Sequence, residues 1–353
     1  MKLLSVVGAR PQFIKLAPLV AATQKQTSWQ HVVCHTGQHY DWEMSQVFFQ
    51  DLNLPPAQYH FTLQENEPLA RLQQMMSNLA EVAQKEQPDW LLIFGDTHST
   101  LAGALVGKML GLKVAHIEAG LRSFNRAMPE EFNRITADYA ADLQICTNTA
   151  AKEQLTRERH GIPAEVCGDL MLDALLLAQA QIHLELPDSS AVEPGYLLVT
   201  LHRQENLIPE RVQRWVSLLK DLAQDYSLVF PVHPRTRQAV ADEEWPANIH
   251  LIKPLGYLEM LAYVNQCQAV LTDSGGLQKD AFYLKKPCVT LRTETEWTEL
   301  QAMGVNRVCD LDSAEVRKAL HYFEKTALDF SGQPYGDGHS ADKILTTLKK
   351  YRR

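Results

Sequence analysis

Short apolar runs recur along the chain, and several close on a glycine, an acid or a histidine. LLSVVG (3–8) leads into a helical periodicity that continues to about residue 25. HVVCHTG (31–37), WLLIFGD (90–96), KVAHIEAG (113–120) and LQICTN (143–148) follow, with helical patterns over 66–86 and 98–110 between them. This alternation predicts βαβ units and a parallel sheet. AEVCGDL (164–170) closes the first series, and residues 171–194 read as a helix and a polar linker. The pattern then restarts with YLLVTLH (196–202), SLVFPVH (227–233), IHLI (249–252), AVLTD (269–273) and PCVTL (287–291), again separated by helical patterns. The tail SADKILTTLKKYRR is amphipathic and basic and predicts a terminal helix. The fold class is therefore α/β: two Rossmann-like halves, with parallel sheets facing across a cleft.

Length agrees with that division, since 353 residues suggest two domains rather than one. A formal net charge of −8 argues against a broad nucleic-acid surface, yet leaves room for a local basic pocket. No run approaches the roughly 18 apolar residues needed to span a membrane. The opening MKLLSVVGARP is too short in its apolar stretch for a signal peptide. The six cysteines are scattered without a CxxC pair and read as small core residues in a reducing compartment, so a cytosolic location is expected. No metal is expected: His35 and His39 are four apart, but the intervening Gly37 argues against a helical pair. There is no GxGxxG and no GxxxxGK[ST], so neither a dinucleotide cofactor nor a P-loop is supported.

The candidate chemistry lies where strands end. TDSGG puts Ser274, Gly275 and Gly276 between a strand and a helical pattern, where free backbone N–H groups can take an anion such as phosphate. GARPQFIK (8–15) places Arg10 and Lys15 about a helix start, with Pro11 in the favoured first turn. In GDTHSTLAG (95–103), Asp96 closes a strand, where an acid or a threonine also caps helices. HIEAGLRSFNRAMPEEFNR (116–134) carries Glu118, Arg122, Arg126, Glu130, Glu131 and Arg134. Glu130 and Glu131 suit the positive end of a helix dipole, whereas Glu118 on a buried strand end needs a partner or a job. In the second half, His202 and Arg203 follow one strand, and His233, Arg235 and Arg237 another, which points to an anionic ligand. Arg292 and Glu296 follow the strand after TDSGG, and Asp280, further into its helix, could accept from ribose hydroxyls.

The ordered set GARPQFIK, HTGQHYD, GDTHSTLAG, HIEAGLRSFNRAMPEEFNR, VTLHRQEN, HPRTR, TDSGGLQKDA and LRTETEW resembles the non-hydrolysing UDP-N-acetylglucosamine 2-epimerases, from residue 1 to about 310. The resemblance implies the GT-B architecture, with a C-terminal helix that returns to the first domain. The expected division is 1–170 plus 337–353, and 171–336. It implies inversion at sugar C2 with no added cofactor, by elimination of UDP to a 2-acetamidoglucal and re-addition. Matched motif by motif, Asp96, Glu118, Glu130 and His202 take the catalytic positions. Arg10 and Lys15 take first-domain diphosphate and sugar contacts, and Ser274, Gly275 and Gly276 the diphosphate loop. Asp280 stands where a glutamate usually binds ribose. Arg122, Arg203, His233, Arg235, Arg292 and Glu296 complete the substrate set, and Gln38 and His39 match a segment used for regulation. The implied partner is a UDP-sugar, with neither nucleic acid nor membrane, and the implied assembly a homodimer.

Within the family the expected substrate is UDP-N-acetylglucosamine, for surface polysaccharide precursors. SFNRAM and Trp297 instead look like the branch that acts on UDP-2,3-diacetamido-2,3-dideoxyglucuronate, for whose C6 carboxylate Arg126 is available. A GT-B glycosyltransferase is the alternative of another class; it would not require the three carboxylates together.

Overall fold

The apolar runs become parallel strands in two separate sheets. The computed structural model describes residues 1–38, 49–65, 67–159, 161–179, 194–232 and 234–352. Two units divide the chain, Met1–Ala178 with Gln333–Arg353, and Gln179–Gly332.

Among the described residues, the first unit holds β1 (Lys2–Val7), β2 (Gln30–His35), β3 (Tyr59–His60), β4 (Trp90–Phe94), β5 (Val114–Ile117), β6 (Leu143–Cys146) and β7 (Ala164–Val166). Their order is β3-β2-β1-β4-β5-β6-β7 and every pairing is parallel. The second unit holds β8 (Leu197–Thr200), β9 (Leu228–Pro231), β10 (Ile249–Ile252), β11 (Ala269–Thr272), β12 (Cys288–Thr290) and β13 (Asn306–Val308), ordered β10-β9-β8-β11-β12-β13. Central strands are buried throughout, as β4 and β8 illustrate, because helices cover both faces of a parallel sheet. In both sheets the order reverses beside the first strand, between β1 and β4 and between β8 and β11. Open parallel sheets bind ligands beyond the carboxyl ends of strands at such a point.

Local chemistry fixes the first turn after β1. The Arg10–Gln24 helix carries Pro11 in its first turn, and Gln12 Oε1 accepts from the N–H groups of Gly8 (2.8 Å) and Ala9 (3.1 Å). Gln12 Nε2 donates across to the carbonyl of Phe94 at 2.9 Å, tying the ends of β1 and β4 together.

The terminal helix, Ser340–Lys350, belongs to the first unit. Asp173 accepts from the N–H groups of Ser340 (3.0 Å) and Ala341 (2.8 Å), and Trp90 Nε1 donates to the carbonyl of Leu348 at 3.2 Å. The Asp169 N–H also bonds the Tyr335 carbonyl at 2.9 Å. These bonds explain why the first unit runs through Ala178 and resumes at Gln333, where the sequence placed the boundaries at 170 and 337. The strands β3 and β13 escaped the periodicity because they are short edge strands with little apolar run, two and three residues of which at most one is buried. No helix among the described residues is long and apolar enough to cross a membrane.

Candidate active site

In the first unit, the chain leaves β4 through Gly95, whose φ of +63° lies in the left-handed region. A side chain there would stand 3.1 Å from Glu118 Oε2, so the glycine gives the carboxylate its space. Glu118 follows β5 with a φ of +74°. Its N–H and that of Ala119 both donate to the Ile145 carbonyl at 3.0 Å, which fixes the bend. A non-glycine residue held left-handed costs about 1–3 kcal/mol and persists only where its surroundings determine it. The bend aims the Glu118 carboxylate at the Lys15 ammonium, and both side chains are over nine-tenths buried.

Asp96 follows Gly95 and pairs with Arg134. The helix cap at this turn is Thr97, whose hydroxyl accepts from the Thr100 N–H at 3.3 Å, so Asp96 is not used as a cap. Arg134 also lies 3.3 Å from Glu131. Glu131 accepts from the N–H groups of Ser123 and Phe124, each at 2.9 Å, and from the Ser123 hydroxyl at 3.0 Å. It thereby shapes the loop that displays Arg126. Its neighbour Glu130, in the first turn of the Pro129–Ala140 helix, makes no ion pair or hydrogen bond among the described residues. Two adjacent glutamates are thus divided between support and display.

Behind Glu118 lies a buried network. His116 Nδ1 is 2.7 Å from Asp138 Oδ1, and its Nε2 is 2.7 Å from the Gly95 carbonyl. Asp138 Oδ2 takes the Gly120 N–H at 3.2 Å and Arg122 at 2.7 Å. Burial alone would raise the Asp138 carboxyl, but His116 and Arg122 bring it below the usual carboxylate range. Arg122 bonds Glu158 through two nitrogens, at 2.8 and 2.6 Å. The guanidinium that the sequence placed among ligand contacts is therefore part of this support.

In the second unit, His202 and Arg203 follow β8, and Asp273 with Ser274, Gly275 and Gly276 follows β11. Ser274 caps the Gly275–Tyr283 helix, its hydroxyl accepting from the Leu277 N–H at 3.4 Å. The N–H groups of Gly275 and Gly276, in the first helical turn, have no acceptor within the helix and suit an anion. Trp297 Nε1 holds the Gly275 carbonyl at 2.9 Å, and Lys279 Nζ lies 4.1 Å from the indole centroid. His202 is half exposed, with Nδ1 3.0 Å from the buried Asp273 carboxylate.

Other expected residues fall elsewhere. Arg292 and Glu296 form a buried two-pronged pair, at 2.9 and 3.2 Å. Asp280 is buried in its helix. Arg10 is partly buried at the start of the Arg10–Gln24 helix. Gln38 is committed to Ser99, its Oε1 accepting from the N–H at 2.9 Å and the hydroxyl at 2.6 Å. His39, His233 and the side chain of Arg235 lie outside the described residues. Sequence reasoning missed Gln12, Asp138 and Asp273. Only Asp273 carried a signal, an acid ending an apolar strand directly before Ser-Gly-Gly.

Two Rossmann-like units, with carboxylates at one switch point and a Ser-Gly-Gly helix start suited to an anion at the other, give the frame of an α/β enzyme. The family model described as UDP-N-acetylglucosamine 2-epimerase matches residues 21–349. The UDP-2,3-diacetamido-2,3-dideoxy-D-glucuronate 2-epimerase of Pseudomonas aeruginosa is 40% identical, covering 99% of this chain and 100% of that protein. The UDP-N-acetylglucosamine 2-epimerase of Methanocaldococcus jannaschii is 35% identical over 99% of both chains. A crystal structure from that organism, in complex with UDP-GlcNAc and UDP, superposes with a TM-score of 0.92 at 35% identity, covering 99% of this chain and 100% of that one. The chain belongs to the UDP-N-acetylglucosamine 2-epimerase family, whose members are UDP-sugar epimerases with a GT-B-like fold.

Proposed function

We propose that this chain inverts C2 of UDP-N-acetylglucosamine to give UDP-N-acetylmannosamine. The C2–H bond breaks with its proton passing to a carboxylate. The C1–O bond breaks with its electron pair leaving on UDP, and a C1–C2 double bond forms. UDP then adds back while a proton reaches the opposite face of C2. Nothing is oxidised or reduced overall. Two faces require two positioned proton carriers, and Asp96, Glu118 and Glu130 supply them. His202 and Arg203 receive the charge developing on the leaving diphosphate, which the Ser274–Gly276 turn holds in place. The observation that carries this reading is the bent, left-handed Glu118, held against Lys15 over the Gly95 turn that leads into Asp96.

The test is proton NMR with UDP-N-acetylglucosamine in D2O. The manno epimer should appear with deuterium at C2; release of free UDP and sugar without the epimer would overturn the reading. A second substrate, UDP-2,3-diacetamido-2,3-dideoxyglucuronate, is favoured by the exposed Arg126 on the Glu131-shaped loop beside Glu130. If Arg126 reads a C6 carboxylate, Arg126→Gln should raise KM for that sugar about tenfold and leave KM for UDP-N-acetylglucosamine unchanged.

We further place the enzyme in the cytoplasm as a homodimer supplying surface polysaccharide. Six unpaired cysteines, five of them buried, support a reducing compartment. The Pro68–Glu86, His98–Met109 and Pro129–Ala140 helices pack side by side and expose Leu69, Met109, Phe132, Ile135 and Tyr139. That apolar face supports a second copy as its cover.

A further inference from the structure

Asp273 is fully buried at the end of β11 and was not among the expected functional residues. Its Oδ2 accepts from the backbone N–H groups of His202 and Arg203, each at 3.0 Å, and from Asn206 Nδ2 at 2.8 Å. Its Oδ1 lies 3.0 Å from His202 Nδ1. Asn206 is itself held. Its Oδ1 accepts from Arg211 Nε at 2.9 Å, and its carbonyl accepts from Trp215 Nε1 at 2.9 Å. Arg211 in turn pairs with Asp310 at 2.5 Å. One carboxylate oxygen therefore grips the backbone that carries His202 and Arg203 and a rigid amide behind both, while the other lies against the His202 ring.

We propose that Asp273 is the positioning residue for His202, keeping Nδ1 protonated and Nε2 turned outward toward the leaving diphosphate. This rests on the role proposed above for His202. The carboxylate accepts and cannot donate while ionised, so the nitrogen facing it carries the proton. Burial alone would raise the Asp273 carboxyl, yet His202, the backbone donors and Asn206 hold it at about 2, so it stays ionised through the working range. Because Ser274 is the next residue, the same aspartate sets the start of the anion-binding turn. Its position makes the histidine and the Gly275–Gly276 N–H groups parts of one rigid piece. Arg203 and Asn206, from the segment after β8, and Ser274, from its own turn, are the other polar groups about it.

Asp273→Asn keeps the volume but turns an amide toward the ring and removes an acceptor. It should lower kcat for the UDP-sugar at least 30-fold while KM stays within threefold. In a His202→Asn background, adding Asp273→Asn should change kcat less than threefold, because its effect passes through the histidine. A full multiplicative loss in the double variant, or a single variant within threefold of the parent, would overturn the proposal. A readout free of turnover and of variants is the 15N spectrum of His202 in the unaltered protein. It should report a proton on Nδ1, which leaves Nε2 to take a second proton and donate it to the diphosphate, and an unprotonated Nδ1 would overturn the proposal even if the variants failed to fold. Should the protein prove inactive on UDP-sugars, the functional reading fails by itself, whereas the tautomer still decides the place of Asp273.

Discussion

Each unit sets a fully buried aspartate behind the strand end that carries its candidate chemistry, Asp138 in the first and Asp273 in the second. Both hold a histidine, at 2.7 and 3.0 Å, and both accept backbone N–H groups beside it. The outcomes differ. His116 has no exposed surface and its far nitrogen meets the Gly95 carbonyl, so the pair braces the turn that makes room for Glu118. His202 is half exposed, so the pair leaves its ring open to solvent. The same two side chains serve as a brace where both ring nitrogens find protein partners, and as a display where only one does. Which use applies is decided by the second nitrogen, not by the aspartate.

The comparison breaks most visibly at Asp138. Asn at that position offers one acceptor where His116, Gly120 and Arg122 need three, and it removes the charge opposing a buried guanidinium. Asp138→Asn should destabilise the first unit by about 3–5 kcal/mol. Hydrogen exchange should rise across β4 and β5 while the second unit keeps its protection. Equal loosening of both units, or no loss of stability, would mean that the brace has been misread.

The contrast also shows what could be read from the chain alone. The strand-to-helix turn of the second unit was legible because its parts are adjacent: strand, Ser274, Gly275 and Gly276 follow one another, and the glycines announce close approach. His202 and Arg203 were legible for the same reason. Partners were not. Lys15 and Glu118 are 103 positions apart, and Arg134 reaches back 38 to Asp96. Nothing in the local pattern tells a guanidinium that contacts ligand from one that is enclosed by protein. So Arg122 and Arg292 were read as ligand contacts, and the structure encloses both in ion pairs. The alternation of strand and helix carried the fold because parallel βαβ order needs only periodicity. Boundaries near 170 and 337 needed the Asp173 cap, a contact with residues 167 and 168 positions away.

Acid should separate the two units. His31 is partly buried between the hydroxyls of Ser5 (2.7 Å) and Thr23 (3.1 Å), and burial lowers its ring to about 4. The unfolded chain protonates this histidine near its ordinary value of 6.5, the folded one only near 4. Between those values the unfolded state binds more protons, so the stabilisation is complete above 6.5 and is lost as pH falls toward 4. Because solvent reaches part of the ring, the loss should be about 2 kcal/mol. In the second unit, Asp273 keeps its contribution until pH drops below 3.8 and loses it toward about 2. Hydrogen exchange at pH 5 should therefore loosen the first unit alone, and His31→Gln should flatten that response. If the second unit loosens first, the two windows are assigned the wrong way round.

The smallest expected effect lies at Trp297, and it bears on how the second unit binds. Its indole N–H holds the Gly275 carbonyl at 2.9 Å while the ring lies under Lys279. Trp297→Phe keeps an aromatic face for the ammonium and removes only the hydrogen bond, a change of about 0.5–1.5 kcal/mol. With that carbonyl released, the first helical turn is less fixed, and its N–H groups meet a diphosphate less well. KM for the UDP-sugar should rise about two- to tenfold with kcat within twofold, because an anion held by backbone donors is held alike in the ground state and the transition state. A fall in kcat with KM unchanged would place the turn among the groups that act only in the transition state. The line between a binding unit and a reacting unit would then have to be redrawn through the second sheet.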